Sequence, residues 1–312
     1  MKLFVAILSC VKHTLDGSNQ AVRDTWLKNL PLGYYDYKFI LGDGTPTGDD
    51  ETFLKKGWDE RHDNFRKEYV DPPLGQTAAD ELVLHVPDSY SHVSYKVREA
   101  YRWGLSQGAE CFFFCTTDTY VDVPRFSASG SGEYDYCGHA FQLPHPWPFA
   151  CFGNGVWLSK KAAQIVADSP VDEWQSDSWV GKVLHAAGIE LHHDERYTSL
   201  GAGQLPPMEG NRTITSHICD SPSVYNPKQM YELHHMREFD LQQLLHIVDR
   251  ESRNTTRFHD CECQCGPYRL CGQPATKSNG FKWKCINCYA LCAQEVARPF
   301  STAGRESSSQ AY

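Results

Sequence analysis

A lone carboxylate follows an apolar, aromatic run near the middle of the chain. Residues 112–121 read FFFCTTDTYV, and the run before Asp118 has the composition of a fully buried strand. Open α/β sheets bind ligands beyond the carboxyl ends of their strands. A carboxylate there can hold a divalent cation against a diphosphate, because hard cations prefer oxygen ligands and bridge phosphate oxygens. The pattern favours a nucleotide-sugar site. An ordinary turn or helix-capping aspartate is the alternative, since Asp is common in such turns.

The order of apolar segments indicates the scaffold that positions Asp118. Strand patterns at 3–9, 37–41, 81–86 and 111–115 alternate with helical patterns, of which 91–107 is the clearest. This alternation predicts an α/β protein with a mostly parallel sheet in a three-layer α/β/α arrangement. Further strands are predicted within 134–141 and 155–158, and further helices at 159–168, 176–187 and within 228–248. We expect residues 1–250 to form this domain.

The net charge and the lengths of the apolar runs argue against two classes of protein, those that bind nucleic acid through overall charge and those that span a membrane. The 312 residues are 41% hydrophobic, and the net charge is −9, which argues against an overall electrostatic hold on nucleic acid or anionic membrane. No apolar run is long enough to span a bilayer, and residues 1–10 are interpreted as the first strand rather than a signal sequence. We therefore expect a soluble, cytoplasmic protein of bacterial or viral type.

A cysteine cluster marks a second module. Seven of the 13 cysteines lie close together, at Cys261, Cys263, Cys265, Cys271, Cys285, Cys288 and Cys292. In a reducing compartment such a cluster favours structural Zn²⁺, and the last group contains a Cys-x2-Cys pair that suits tetrahedral zinc. Disulfides are the alternative if the chain is secreted. We predict a zinc module at 251–298 and a disordered polar tail at 299–312.

Several short motifs occur in an order that resembles family-31 β-1,3-glycosyltransferases, in particular the Fringe and core-1 galactosyltransferase branch. The resemblance spans about residues 3–240. The motifs are AVRDTW at 21–26, KFILG at 38–42, DSYSHVSYK at 88–96, TTDTYV at 116–121, WPFACFGNGVWLS at 147–159, SDSWVG at 176–181 and the Ser216-His217 pair. The resemblance implies a Rossmann-like GT-A fold. It also implies inverting transfer of a hexose or N-acetylhexosamine from a UDP-sugar, with a β-1,3 linkage.

The resemblance also implies roles for three residues. Asp118 and His217 would bind Mn²⁺ or Mg²⁺ at the donor site, imidazole favouring Mn²⁺. Asp177 would act as catalytic base, because a single displacement at the anomeric carbon needs a carboxylate to take the acceptor hydroxyl's proton. The alternatives are a hydrogen-bonded core histidine for His217 and a helix cap for Asp177. As a residue capping a helix that starts at Ser178, Asp177 would be exposed and have a low pKa.

Further residues are assigned to binding of the UDP-sugar. Arg23 and Lys96 carry charges that could meet the diphosphate, although each could be a solvated cation on a helix face. Three glycines and a threonine within the motifs complete the set: Gly42, Thr117, Gly153 and Gly155. Glycine would let the backbone approach a sugar closely, and a plain glycine turn is the alternative.

Two other functions stay open. Thr116 and Thr117 stand where the family has carboxylates, which favours an inactive protein that binds sugar nucleotides or glycans. A zinc-dependent nucleic-acid-binding protein is the other alternative, against which the acidic net charge argues. For a transferase, the acceptor would be a saccharide, a protein or another hydroxylated molecule.

Overall fold

The computed structural model describes residues 2–31, 35–46, 74–141, 146–199, 213–218 and 226–237. These residues all belong to one compact unit, Met1–Arg237. The predicted zinc module at 251–298, with its seven cysteine ligands, and the predicted tail at 299–312 lie outside the described residues. Both remain predictions.

The sequence patterns place most elements to within a few residues. The strands are β1 Leu3–Leu8, β2 Tyr35–Gly42, β3 Glu81–Leu84, β4 Cys111–Thr116, β5 Thr119–Val121, β6 Tyr136–Gly138, β7 Ala140–Phe141, β8 Phe149–Ala150, β9 Val156–Ser159, β10 His192–His193, β11 Tyr197–Ser199 and β12 Thr215–His217. The helices are α1 Val11–Leu15, α2 Ser18–Asp24, α3 Val93–Ser106, α4 Val123–Ser127, α5 Lys160–Asp168, α6 Ser176–Ala186 and α7 at 227–237. None of these helices is long and apolar enough to cross a membrane.

The largest sheet of the described chain has the strand order β10-β6-β9-β4-β1-β2-β3. β1 lies between β2 and β4 and is parallel to both. β9 is antiparallel to its two neighbours, β4 and β6. The prediction of a mostly parallel sheet is confirmed, with β9 as the exception. The carboxyl ends of β1, β2, β3, β4 and β6 therefore lie along one edge of the sheet.

Alternate residues of the central strands enter two separate cores. Phe112 and Phe114 of β4 pack into the core that contains α3, α5 and α6. Phe113 and Cys115 pack into the other core, with α2, α7 and the small β11-β12-β5 sheet. A strand buried on both faces must be apolar at every position, which explains the continuous apolar run in the sequence. Helices thus pack on both faces of the sheet, and one of these faces also carries the small β11-β12-β5 sheet.

A buried ion pair closes the sheet edge beside β1 and β2. Lys96 of α3 lies 3.1 Å from Asp88 Oδ1, and both side chains are only 4% exposed. The Asp88 carboxylate also accepts hydrogen bonds from Gly42 N at 2.7 Å and Val11 N at 2.6 Å. Lys96 Nζ donates to Ser9 O at 2.8 Å. The pair thus joins the ends of two strands to α3, with its charges compensated by hydrogen bonds.

Removing Lys96 should destabilise the protein, because the Asp88 carboxylate would stay buried without its counter-charge. We expect Lys96→Met to lower the free energy of unfolding by about 3–5 kcal/mol, because the Asp88 carboxylate keeps its burial and loses its counter-charge. Denaturant unfolding followed by circular dichroism would measure it. The matched control is Lys161→Met, which removes an exposed pair with Asp135 and should cost about 1 kcal/mol or less. Equal effects of the two substitutions would contradict this account of the pair.

Candidate active site

Asp118 lies in the turn that joins β4 to β5, just past the last residue of β4, Thr116. The position expected beyond the carboxyl end of a buried strand is therefore confirmed. In the parallel register Leu8 of β1 is paired with Thr116, so the chain leaving β1 lies beside the same turn. The short strand β5, which the sequence patterns did not predict, returns the chain from Asp118 toward β12.

Asp118 faces His217 across this turn. β12 pairs with β5 in antiparallel register, with His217 opposite Thr119, and Ile218 N donates to Asp118 O at 2.9 Å. This pairing brings His217 Nε2 within 3.1 Å of Asp118 Oδ2, although the two residues are 99 positions apart. Their side chains are 19% and 18% exposed, so both remain open to a small ligand.

The surroundings of Asp118 keep it ionised. Burial acts to raise its pKa, but the charge of His217 and the hydrogen bonds from His217 and Thr116 outweigh burial, and the pKa is lowered. The Thr116 hydroxyl donates to Asp118 Oδ1 and lies 3.0 Å from Thr119 Oγ1. Thr116 was not among the predicted site residues. Its uncharged hydroxyl orients Asp118 without adding a second negative charge.

Two predicted glycines lie against the same site, where they provide space for side chains. A Cβ placed on Gly153 would lie 2.7 Å from the His217 ring. Gly155 has a φ of +92°, which favours glycine, and its Cβ would meet the Phe113 ring at 2.7 Å. Gly153 also accepts a hydrogen bond from Thr119 Oγ1 at 2.8 Å. Gly153 therefore leaves room for the His217 ring, whereas Gly155 packs against the core residue Phe113, and direct contact of either glycine with a sugar remains a prediction.

Asp177 lies in the first turn of α6 and is bonded to the segment that carries Gly153. Its Oδ1 accepts a hydrogen bond from Phe152 N at 3.0 Å. Desolvation by burial raises its pKa to about 6, against the smaller effects of the Phe152 N–H, the Cys151 thiol and the charge of His217. The charge of His217 thus acts to lower the pKa of both Asp118 and Asp177.

The structure corrects two expectations about Asp177. The helix begins at Ser176 with Gln175 as its N-cap, so Asp177 is not the cap of a helix starting at Ser178. The expected low pKa is also wrong, because desolvation outweighs the favourable position in the first helical turn. A carboxyl with a pKa of about 6 is a stronger base than an ordinary aspartate and is still mostly deprotonated at neutral pH.

The two predicted diphosphate-binding cations already have carboxylate partners. Arg23 forms a two-bond contact with Asp80 at 2.8 Å and a bond to Glu81 at 2.8 Å, and these carboxylates raise its pKa. Lys96 forms the buried pair with Asp88. A diphosphate could meet either cation only by competing with these partners, so both assignments remain predictions.

Gly42 and Thr117 lie at the ends of β2 and β4. A Cβ on Gly42 would lie 2.5 Å from Val86 O, so glycine is needed there for packing. Thr117 Oγ1 lies 2.9 Å from His13 Nδ1. His13 and Asp88 were not among the predicted site residues. Asp88 lies within the DSYSHVSYK motif at 88–96, whereas the only sequence signal for His13 is that it follows the carboxyl end of the buried strand β1.

Comparisons with known proteins identify no family for this chain. No protein-family model and no curated protein matches the sequence. Similar solved structures include a glycosyltransferase involved in glycosylation of the major capsid of PBCV-1, which is 11% identical with a TM-score of 0.36. That match covers 72% of this chain and 97% of that chain.

Two further solved structures show a likeness of the same order. The galactosyltransferase LgtC with donor and acceptor sugar analogs is 10% identical with a TM-score of 0.37, covering 76% of this chain and 96% of that chain. The inositol-1-phosphate CTP transferase from T. maritima is 10% identical with a TM-score of 0.33, covering 75% and 95%. TM-scores below 0.5 do not establish a common fold, so these likenesses assign no function to this chain.

Proposed function

We propose that this chain is an inverting glycosyltransferase of the GT-A type, similar to family 31. It would move a hexose or N-acetylhexosamine from a UDP-sugar to an acceptor hydroxyl and form a β-1,3 linkage. One observation carries the proposal. Asp118 lies against His217, whose ring packs on Gly153, while Asp177 is bonded to the backbone of the preceding residue, Phe152, and the pKa values of the two carboxyls are displaced in opposite directions. The lowered pKa of Asp118 suits a carboxylate that stays ionised and stabilises charge. The raised pKa of Asp177, about 6, suits a carboxylate that takes up a proton during the reaction.

Asp118 and His217 fit a divalent cation that also binds the donor. Among the described residues there is no group of three or more His, Cys, Asp or Glu side chains able to hold a metal. Two protein ligands are nevertheless sufficient for an ion that takes its other ligands from substrate phosphates and water. The oxygen and nitrogen set suits Mn²⁺, and Mg²⁺ is the alternative. When bound, the cation would neutralise charge on the departing UDP.

Asp177 fits the acid–base half of the reaction. The acceptor hydroxyl must lose its proton as its oxygen bonds to the anomeric carbon and the bond to the UDP oxygen breaks. Phe152 N donates a hydrogen bond to Asp177 Oδ1, which fixes the carboxylate that would accept this proton. The catalytic step that we propose therefore uses Asp118 on the donor and Asp177 on the acceptor.

An inactive donor-binding protein is the second candidate. It is favoured by Thr116 and Thr117, which stand where the related family has carboxylates. The contact from Thr116 to Asp118 opposes it, because the hydroxyl keeps the remaining carboxylate oriented. Turnover separates the two candidates. The nucleic-acid alternative and the Zn²⁺ assignment rest on the cysteines at 261–292, outside the described residues, and remain predictions.

The first test is metal-dependent cleavage of UDP-sugars. We expect wild type to hydrolyse or transfer at least one UDP-sugar with Mn²⁺, and Asp118→Asn to lose about 100-fold or more in kcat/KM, in line with loss of one electrostatic stabiliser. UDP release would be measured across a panel of UDP-sugars. Asp36→Asn, which removes an exposed carboxylate paired with Lys2, is the matched control and should retain activity. Mn²⁺-dependent UDP binding without any turnover would instead support the inactive donor-binding protein.

The second test is the pH dependence of the reaction. Because the pKa of Asp177 is about 6 and the base must be deprotonated, kcat/KM should rise tenfold per pH unit below pH 6 and level off above it. Asp177→Asn should remove that limb and lower kcat by roughly 100- to 10,000-fold.

The matched control for this pH test is Asp172→Asn. Asp172 is an exposed aspartate just before α6 that pairs with Lys182, so its removal should leave the profile unchanged. An active Asp177→Asn variant with the wild-type profile would exclude Asp177 as the base.

A further inference from the structure

One imidazole in the site has no role in the proposal above. His13 lies in α1, in the chain that leaves β1, and is partly buried. Its Nδ1 lies 2.9 Å from Thr117 Oγ1. Within the described chain, Nε2 of His13 makes no hydrogen bond. A ring held at one nitrogen and unpaired at the other is a binding group already fixed in position.

His13 lies beside Asp118 without touching it. Its partner Thr117 is the residue before Asp118, and the charge of Asp118 acts on the His13 ring. β1 and β4 are parallel neighbours, so both segments emerge at the same sheet edge. A diphosphate held at Asp118 would therefore lie within the electrostatic environment of His13.

We propose that His13 binds the diphosphate of the donor through an Nε2–H hydrogen bond and stabilises the negative charge on departing UDP. This inference rests on the proposed function. A bound oxyanion selects the tautomer with hydrogen on Nε2, and Nδ1 then accepts the hydroxyl hydrogen of Thr117. The Thr117 hydroxyl thus orients His13. Family 31, which the motif at 116–121 resembles, has a carboxylate at the position of Thr117.

The charges around His13 agree with this role. Burial lowers the pKa of His13, Asp16 and Asp118 act to raise it, and Lys96 and Lys12 act to lower it. The ring is therefore neutral at neutral pH and still able to donate from Nε2. Lys96 is neutralised by Asp88, and Arg23 by Asp80 and Glu81. Unlike Lys96 and Arg23, His13 forms no ion pair with a carboxylate within the described residues, and its Nε2 makes no hydrogen bond there.

Two isosteric variants separate the two ring nitrogens. In His13→Asn the amide can replace Nδ1 and keep the Thr117 bond, but nothing replaces Nε2. In His13→Gln the amide NH₂ reaches the position of Nε2. We expect His13→Asn to weaken UDP binding roughly 10- to 100-fold, the size of a hydrogen bond to a charged group, and His13→Gln to retain most of the affinity.

Calorimetric titration with UDP and with uridine, both in Mn²⁺, makes the test specific. Uridine lacks the diphosphate, so its affinity should be the same for wild type, His13→Asn and His13→Gln. Leu15→Ala removes an exposed side chain, 71% accessible, from the same helix and should leave the affinity for both ligands unchanged. Thermal unfolding of each variant would be measured in parallel.

Three outcomes would overturn the inference. Unchanged UDP affinity in His13→Asn would exclude His13 while leaving the donor site at Asp118 intact. Equal losses for UDP and uridine would show that His13 only shapes the loop. Wild type that binds no UDP would exclude the proposed donor and, with it, this role of His13.

Discussion

The Asp88–Lys96 pair is the interaction on which the sheet edge under the site depends. Asp88 accepts hydrogen bonds from Gly42 N at the end of β2 and from Val11 N at the start of α1, and Lys96 of α3 donates to Ser9 O just past β1. Val11 N, one of its donors, begins the helix that carries His13. A carboxylate that serves three donors inside a protein tolerates little displacement, because each lost bond leaves a buried polar group unpaired. The pair therefore positions the end of β2 and the start of the helix that carries His13.

The chemistry of the site follows from two carboxylates in contrasting surroundings. Asp118 has a histidine and a hydroxyl as partners and stays ionised. Asp177 is more strongly desolvated than its partners can offset and becomes a base of pKa about 6. The missing side chain of Gly153 leaves the space that the His217 ring occupies, and the residue before it, Phe152, is bonded to Asp177. Packing and acid–base properties are thus set by the same few residues.

The central strands could be predicted from sequence because burial on both faces makes them continuously apolar. The direction of each strand could not be predicted. β9 is as apolar as the strands that flank it, β4 and β6, and yet it is antiparallel to both. Asp118 could be located because it ends such a run. The environment of Asp177 could not, because its desolvation and its bond to Phe152 come from a segment 25 residues away. Lys96 and Arg23 were assigned to a ligand because a sequence shows a cation without its carboxylate partner.

The most direct measurement of the central claim is electron paramagnetic resonance of Mn²⁺ bound with UDP to protein carrying ¹⁵N-labelled histidine. If Asp118 and His217 form the donor metal site, Mn²⁺ should bind in a UDP-dependent way and show coupling to one histidine nitrogen. That coupling should disappear in His217→Gln. Mn²⁺ bound with UDP but without histidine coupling, or coupling that persists in His217→Gln, would contradict the account.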